Sequence, residues 1–147
     1  MKVEETAQAA TRCGFVALIG APNVGKSTLI NALVGEKVSI VSRKVQTTRA
    51  LIRGIVVEGC AQIILVDTPG IFAPKRRLDR AMVTTAWSGA HDADLVCVLL
   101  DAKLGLDAEA EAIFDKLANV AHPKMLVINK IDLVPREKLL ALAKAAN

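Results

Sequence analysis

The densest chemistry in the chain lies in nine consecutive residues, Gly20, Ala21, Pro22, Asn23, Val24, Gly25, Lys26, Ser27 and Thr28. They fit the pattern G-x-x-x-x-G-K-[ST], placed between an apolar run and a helix-compatible stretch. Gly20 and Gly25 let the backbone curl so that successive N–H groups, and the N-terminus of the following helix, converge on phosphate oxygens. Lys26 is suited to the β- and γ-phosphates of a nucleotide, and the Ser27 hydroxyl to Mg²⁺. An ordinary glycine turn capped by serine is the alternative reading.

A loop that grips phosphates does not select a base. Asn129, Lys130, Ile131 and Asp132 follow a second apolar run and supply that information. A carboxylate at Asp132 can accept from the two N–H groups on the guanine edge, whereas an adenine would leave the charge unanswered. Asn129 is expected to tie this loop to the phosphate loop, and the Lys130 stem to cover the base. Taken alone, these four residues would serve equally well as a helix cap.

Between the two motifs stand Asp67, Thr68, Pro69 and Gly70, at the end of the run Ile63–Val66. An acid at a strand end can hold Mg²⁺ through water, and a glycine can point its N–H at a γ-phosphate with no side chain in the way. The next residue is Ile71, which cannot hydrogen-bond an attacking water as a carboxamide does, so slow hydrolysis is expected unless a cation or a partner adds charge. The stretch 35–49 lacks a sustained period and reads as a long connection, of the kind that is functional or disordered in compact domains. It offers Thr47 and Thr48 as hydroxyl ligands for Mg²⁺, able to order with the γ-phosphate and release after hydrolysis.

The elements that must position these residues are legible from the apolar pattern. Gly14–Gly20 reads as a strand, and Lys26–Val34 as a helix with Leu29, Ile30, Leu33 and Val34 at helical spacing. Leu51–Val57 and Gln62–Val66 flank Glu58-Gly59-Cys60-Ala61 and predict a hairpin. Leu78–Ala90 is helix-compatible, Leu95–Leu100 is a third buried run, Asp107–Ala118 a helix, and Met125–Ile128 a fourth buried run. Pro135–Ala146 opens with proline in a first helical turn. Strands alternating with helices imply an α/β fold with a mostly parallel sheet and helices on both faces.

Composition agrees with that reading. The chain has 147 residues, of which 52% are hydrophobic and only four are aromatic (Phe15, Phe72, Trp87 and Phe114), so its core must be built from Val, Ile, Leu and Ala. This suits one domain with buried parallel strands and excludes a disordered chain. Nineteen basic against fifteen acidic residues give a net charge of +4, too mild to mark a nucleic-acid surface. The cluster Lys75, Arg76, Arg77 and Arg80 reads either as a solvated face or as an RNA- or ribosome-facing one. Cys13, Cys60 and Cys97 lie far apart and read as reduced, largely buried thiols of a cytosolic protein. No apolar run reaches the roughly 18 residues of a membrane span, so a soluble protein is expected.

With these motifs in hand, the sequence resembles the TrmE/Era/EngA group of translation-factor-related GTPases, and within it the Era family. GAPNVGKST, SRKVQTTR, DTPG and NKID occur in that family's order, and Ser42-Arg43-Lys44 with Gln46-Thr47-Thr48-Arg49 is its more specific mark. The resemblance covers about residues 13–135. It implies a three-layer P-loop fold of the Ras-like type and GTP hydrolysis by a switch. It also favours Thr48 over Thr47 as the switch threonine, with Lys26, Thr48 and Gly70 as the catalytic set. Mg²⁺ would be held by Ser27, Thr48 and Asp67, and K⁺ by Asn23, which as a bare sequence position serves equally as a turn residue. A hydrophobic residue after DTPG also agrees with this family. The implied partners are GTP and GDP, the 30S ribosomal subunit and 16S rRNA; in full-length relatives, peripheral association with the bacterial inner membrane is also implied.

Family members are about twice this length and carry a KH-type RNA-binding domain. The expectation is therefore a tail at 1–12 and a GTPase domain at 13–147, truncated before its last strand and without the KH domain. On this expectation Met125–Ile128 would be an uncovered apolar edge.

Overall fold

The computed structural model describes residues 10–38 and 51–146. Among these residues five strands form one sheet: β1 (Arg12–Ile19), β2 (Ile52–Glu58), β3 (Ala61–Asp67), β4 (Leu95–Asp101) and β5 (Lys124–Asn129), in the order β2-β3-β1-β4-β5. β1 is parallel to β3 and β4, and β4 to β5, while β2 runs antiparallel to β3 across the turn at Gly59-Cys60. Among the described residues four helices connect and cover the strands: α1 (Lys26–Val34), α2 (Arg77–His91), α3 (Ala108–Leu117) and α4 (Arg136–Ala145). The fold is the mostly parallel three-layer α/β arrangement that the alternation of patterns implies.

Local chemistry sets the helix ends. α1 begins after Gly25 and stops at Gly35, a left-handed residue whose N–H donates to the Asn31 carbonyl. The Asp79 carboxylate accepts from the backbone N–H groups of Lys75 and Arg76 at the start of α2. At α3 the Asp107 side chain accepts from the Ala110 N–H at 2.9 Å, so this residue caps the helix rather than beginning it. Pro135 precedes α4, where its missing N–H costs nothing.

The core is aliphatic. Leu18 and Ile19 on β1, Ile30 on α1, Val96 on β4 and Leu117 on α3 are all but inaccessible to water. A smaller cluster of Leu100, Ala102, Ala110 and Leu142 joins β4 and α3 to α4.

Two sequence expectations on burial fail. Met125 is 51% exposed and the rest of the Met125–Ile128 run is only half-buried, against the reading of its apolar pattern but as the family resemblance implies, because β5 is an edge strand of the described sheet and has a neighbour on one side alone. Of the three thiols, Cys97 in central β4 is buried, but Cys13 and Cys60, at the open ends of β1 and of the hairpin turn, are exposed. The connection at 35–49 is described only to Val38, whose N–H donates to the Asn31 side chain at 3.0 Å. Among the described residues no helix is long and apolar enough to cross a membrane.

Topology brings the motifs together. The C-terminal ends of the four parallel strands lie side by side, with Leu18 opposite Asp67, Ile19 opposite Val98 and Asp101 opposite Asn129. Each strand releases a loop at that edge, the usual place for a ligand in an open α/β sheet.

Candidate nucleotide-binding site

The loop between β1 and α1 is shaped by two left-handed residues, Asn23 (φ 61°) and Gly25 (φ 105°). A Cβ on Gly25 would collide with the side-chain amide of Asn129, so the position needs glycine both for its torsion and for space. Ala21 and Val24 are buried in the core; these side chains anchor the loop and leave its backbone to face a ligand. Thr28 is exposed on the first turn of α1.

Lys26 is 7% exposed, and its ammonium donates to the carbonyls of Gly20 at 2.9 Å and Ala21 at 2.8 Å. Burial lowers its pKa to about 8, against the opposing pull of the nearby Asp67 carboxylate. Such an ammonium is held by neutral acceptors at the mouth of the loop and is ready to exchange them for anionic ones.

Ser27 donates its hydroxyl proton to Asp67 Oδ2 at 2.6 Å, and both residues are buried. Helix α1 supplies the first and the end of β3 the second. A hydroxyl and a carboxylate oxygen at this separation form a hard-oxygen donor pair that fits Mg²⁺. Thr68 spends its hydroxyl differently, donating to the Leu18 carbonyl at 2.6 Å, and so fastens the end of β3 to β1. Gly70 lies directly over the phosphate loop: an added Cβ would stand 2.9 Å from Pro22, and the next residue's N–H donates to the Gly20 carbonyl at 3.0 Å. Ile71 is 7% exposed and belongs to the core, so its apolar side chain has a packing role.

The loop after β5 is joined to the phosphate loop by two long-range bonds. Asn129 donates its amide N–H to the Val24 carbonyl at 2.8 Å, and the Lys130 ammonium donates to the Asn23 carbonyl at 2.7 Å. Lys130 is left-handed (φ 58°), which turns the chain into the short 3-10 turn Ile131–Leu133 and leaves Ile131 and Asp132 open to solvent. Asn23 is exposed, with its carboxamide oxygen suited to a hard cation. Thr47 and Thr48 lie outside the described residues.

One residue bonded to this site lies outside the motifs. Asp101, at the end of β4, is 5% exposed and forms a 2.6 Å ion pair with Lys130. Burial works against its ionisation, but the hydrogen bonds and charge of Lys130 and the N–H groups of its own turn prevail and hold the carboxyl below its ordinary range. Like Asp67 it closes a buried apolar run, but no motif around it sets it apart from an acid that simply ends a strand.

Comparison with known proteins agrees with this geometry. Residues 15–130 match the family model described as 50S ribosome-binding GTPase. Over 144 residues the chain is 83% identical to the GTPase Era of Bradyrhizobium sp. ORS 278, covering 98% of this chain and 47% of that protein. The chain thus spans about half the length of the curated relatives it matches. It is also similar to a crystal structure of Era in complex with MgGDPNP and nucleotides 1506–1542 of 16S ribosomal RNA (TM-score 0.87, 40% identity, 92% of this chain and 47% of that one). A further match is an Aquifex aeolicus Era variant bound to GDP and AlF4⁻ (TM-score 0.84, 41% identity, 90% of this chain and 46% of that one). The chain belongs to the 50S ribosome-binding GTPase family and matches, within it, the N-terminal GTPase portion of the Era proteins.

Proposed function

We propose that the chain binds GTP and GDP and hydrolyses GTP to GDP and phosphate as a molecular switch. The observation that carries this reading is the bonding of the 129–132 loop to Val24 and Asn23, which makes one cleft of a phosphate loop and a guanine-type base loop. In that cleft the N–H groups of residues 23–28 and the Lys26 ammonium bind the phosphates, Asp132 accepts from the guanine edge, and the Lys130 stem covers the base. Ser27, Asp67 and Thr48 hold Mg²⁺, which when bound neutralises charge on the phosphate oxygens. Gly70 presents its N–H to the γ-phosphate, and Thr48 is ordered with it. The MgGDPNP in an Era structure 40% identical to this chain supports the choice of metal.

Ile71 is buried, and an isoleucine cannot orient an attacking water as the carboxamide of Ras-type enzymes does. Hydrolysis by this chain alone is therefore slow. Asn23 holds K⁺ beside the phosphates and so raises the rate. Likeness to Era supports a cytoplasmic role in assembly of the 30S subunit and maturation of 16S rRNA, in the context of the longer protein.

Hydrolysis measured in KCl and in NaCl at matched ionic strength tests the proposal. Turnover several-fold faster in KCl and abolished by Lys26→Ala is expected. Nucleotide binding with no turnover in either salt would overturn the enzymatic reading and leave a guanine-nucleotide-binding module.

A further inference from the structure

Asp101 lies in none of the phosphate, magnesium or base motifs, yet it touches the residues that join them. Both of its carboxylate oxygens are assigned. Oδ1 accepts from the Lys103 N–H at 2.8 Å, and Oδ2 accepts from the Lys130 ammonium at 2.6 Å. The same ammonium donates to the Asn23 carbonyl at 2.7 Å. The backbone at residue 101 is fixed as well, since Asp101 pairs with Asn129 across the β4–β5 ladder and its carbonyl accepts from the Gly105 N–H at 2.9 Å. The carboxylate is therefore a rigid acceptor at a strand end.

Lys130 differs in kind. Its side chain is 33% exposed, and a lysine at that exposure ordinarily samples many rotamers and spends its charge on water. Here the ammonium is bridged between a buried acid and a phosphate-loop carbonyl, which stretches its stem between the end of β5 and Asn23. An acid buried to the degree of Asp101 is a poor source of stability, because desolvation offsets most of the attraction. Registry is the better-attested use of such a pair.

We propose that Asp101 is a positioning residue for guanine-nucleotide binding, acting through Lys130 to hold the stem that covers the base and to lock the base loop to the phosphate loop. This rests on the reading of residues 129–132 as the base loop. The ligand concerned is a guanosine nucleotide, and the contact affected is the one to its base.

A double-mutant cycle on the 147-residue chain, read by GDP affinity, tests the proposal. Asp101→Asn keeps an acceptor for the Lys103 N–H and removes the charge; Lys130→Met keeps an apolar stem and removes the ammonium. Each alone is expected to weaken GDP binding about tenfold, and the double variant no more than Lys130→Met alone. A purely structural role for Asp101 would instead lower affinity by the same factor in both backgrounds, and that additive result overturns the proposal. If Asp101→Asn does not fold, Asp101→Glu, which keeps the charge and displaces it by one methylene, enters the same cycle with the same two outcomes. The base-loop reading fails separately: Asp132→Asn would then leave selectivity for guanine over xanthine nucleotides unchanged. Additivity in the cycle together with a shift on Asp132→Asn would refute the role of Asp101 alone.

Discussion

At the scale of single residues, side-chain chemistry and spacing were enough to place most of the cleft. Lys26, Ser27 and Asp67 were named from residue type, and the fold brings all three to one buried corner. Asp132 is the most specific of the motif residues and carries the sharpest test. Its exposed carboxylate can only accept, matching the two donors of guanine, whereas an asparagine presents one donor and one acceptor. Asp132→Asn should therefore weaken GDP binding by about 100-fold or more and favour the xanthine nucleotide, whose edge carries a carbonyl in place of the amino group. Competition between GDP and XDP for the variant measures the shift. Asp101 was not legible in the same way. Its importance comes from a partner 29 positions away, and nothing local distinguishes it from an acid that simply ends a strand.

Elements were legible where their pattern is local and illegible where burial depends on neighbours distant in sequence. The apolar runs gave β1, β3 and β4, and the turn at Gly59-Cys60 gave the hairpin, with boundaries that moved by one or two residues. The exposure of β5 is not legible from its apolar pattern, because Met125–Ile128 is as apolar as Leu95–Leu100 and only sheet order separates an edge strand from an inner one; the family resemblance, which implies an uncovered edge there, does agree with the fold. That difference has an energetic counterpart. Leu18→Ala empties a site 1% exposed on central β1 and should cost about 3–5 kcal/mol, whereas Met125→Ala on the edge should change stability by about 0.5 kcal/mol or less. Urea unfolding of the two variants decides whether β1 and β5 differ as described. The connection at 35–49 belongs to this scale too. If Thr48 there is a ligand ordered with the γ-phosphate, Thr48→Ala should weaken Mg²⁺-GTP binding and leave GDP binding nearly unchanged. Equal loss for both nucleotides would remove Thr48 from the switch.

Considered as a whole, the proposed nucleotide site would link stability to ligand through the buried Lys26 ammonium. Lys26 has a pKa near 8 in the folded chain against an ordinary 10.5, with burial the main cause. Because the folded pKa is the lower, the unfolded chain binds the extra proton between these two values, and stability rises with pH across that window. The full gain is about 3 kcal/mol, complete near the unfolded value and absent below the folded one. Urea midpoints from pH 7.5 to 10 should therefore climb in the ligand-free protein, and Lys26→Met should flatten that climb. Nucleotide reverses the sign. Phosphate oxygens in contact with the ammonium would stabilise it and raise its pKa in the complex, so binding would take up a proton once the free protein has begun to lose one. GDP affinity should be level below pH 7.5 and fall above pH 8 by up to about tenfold per unit, the limit for one linked proton. Calorimetric titrations in two buffers of different ionisation heat at pH 8.5 would detect that proton directly. Affinity unchanged between pH 7.5 and 9, with no proton taken up, would overturn the linkage between Lys26 protonation and nucleotide binding.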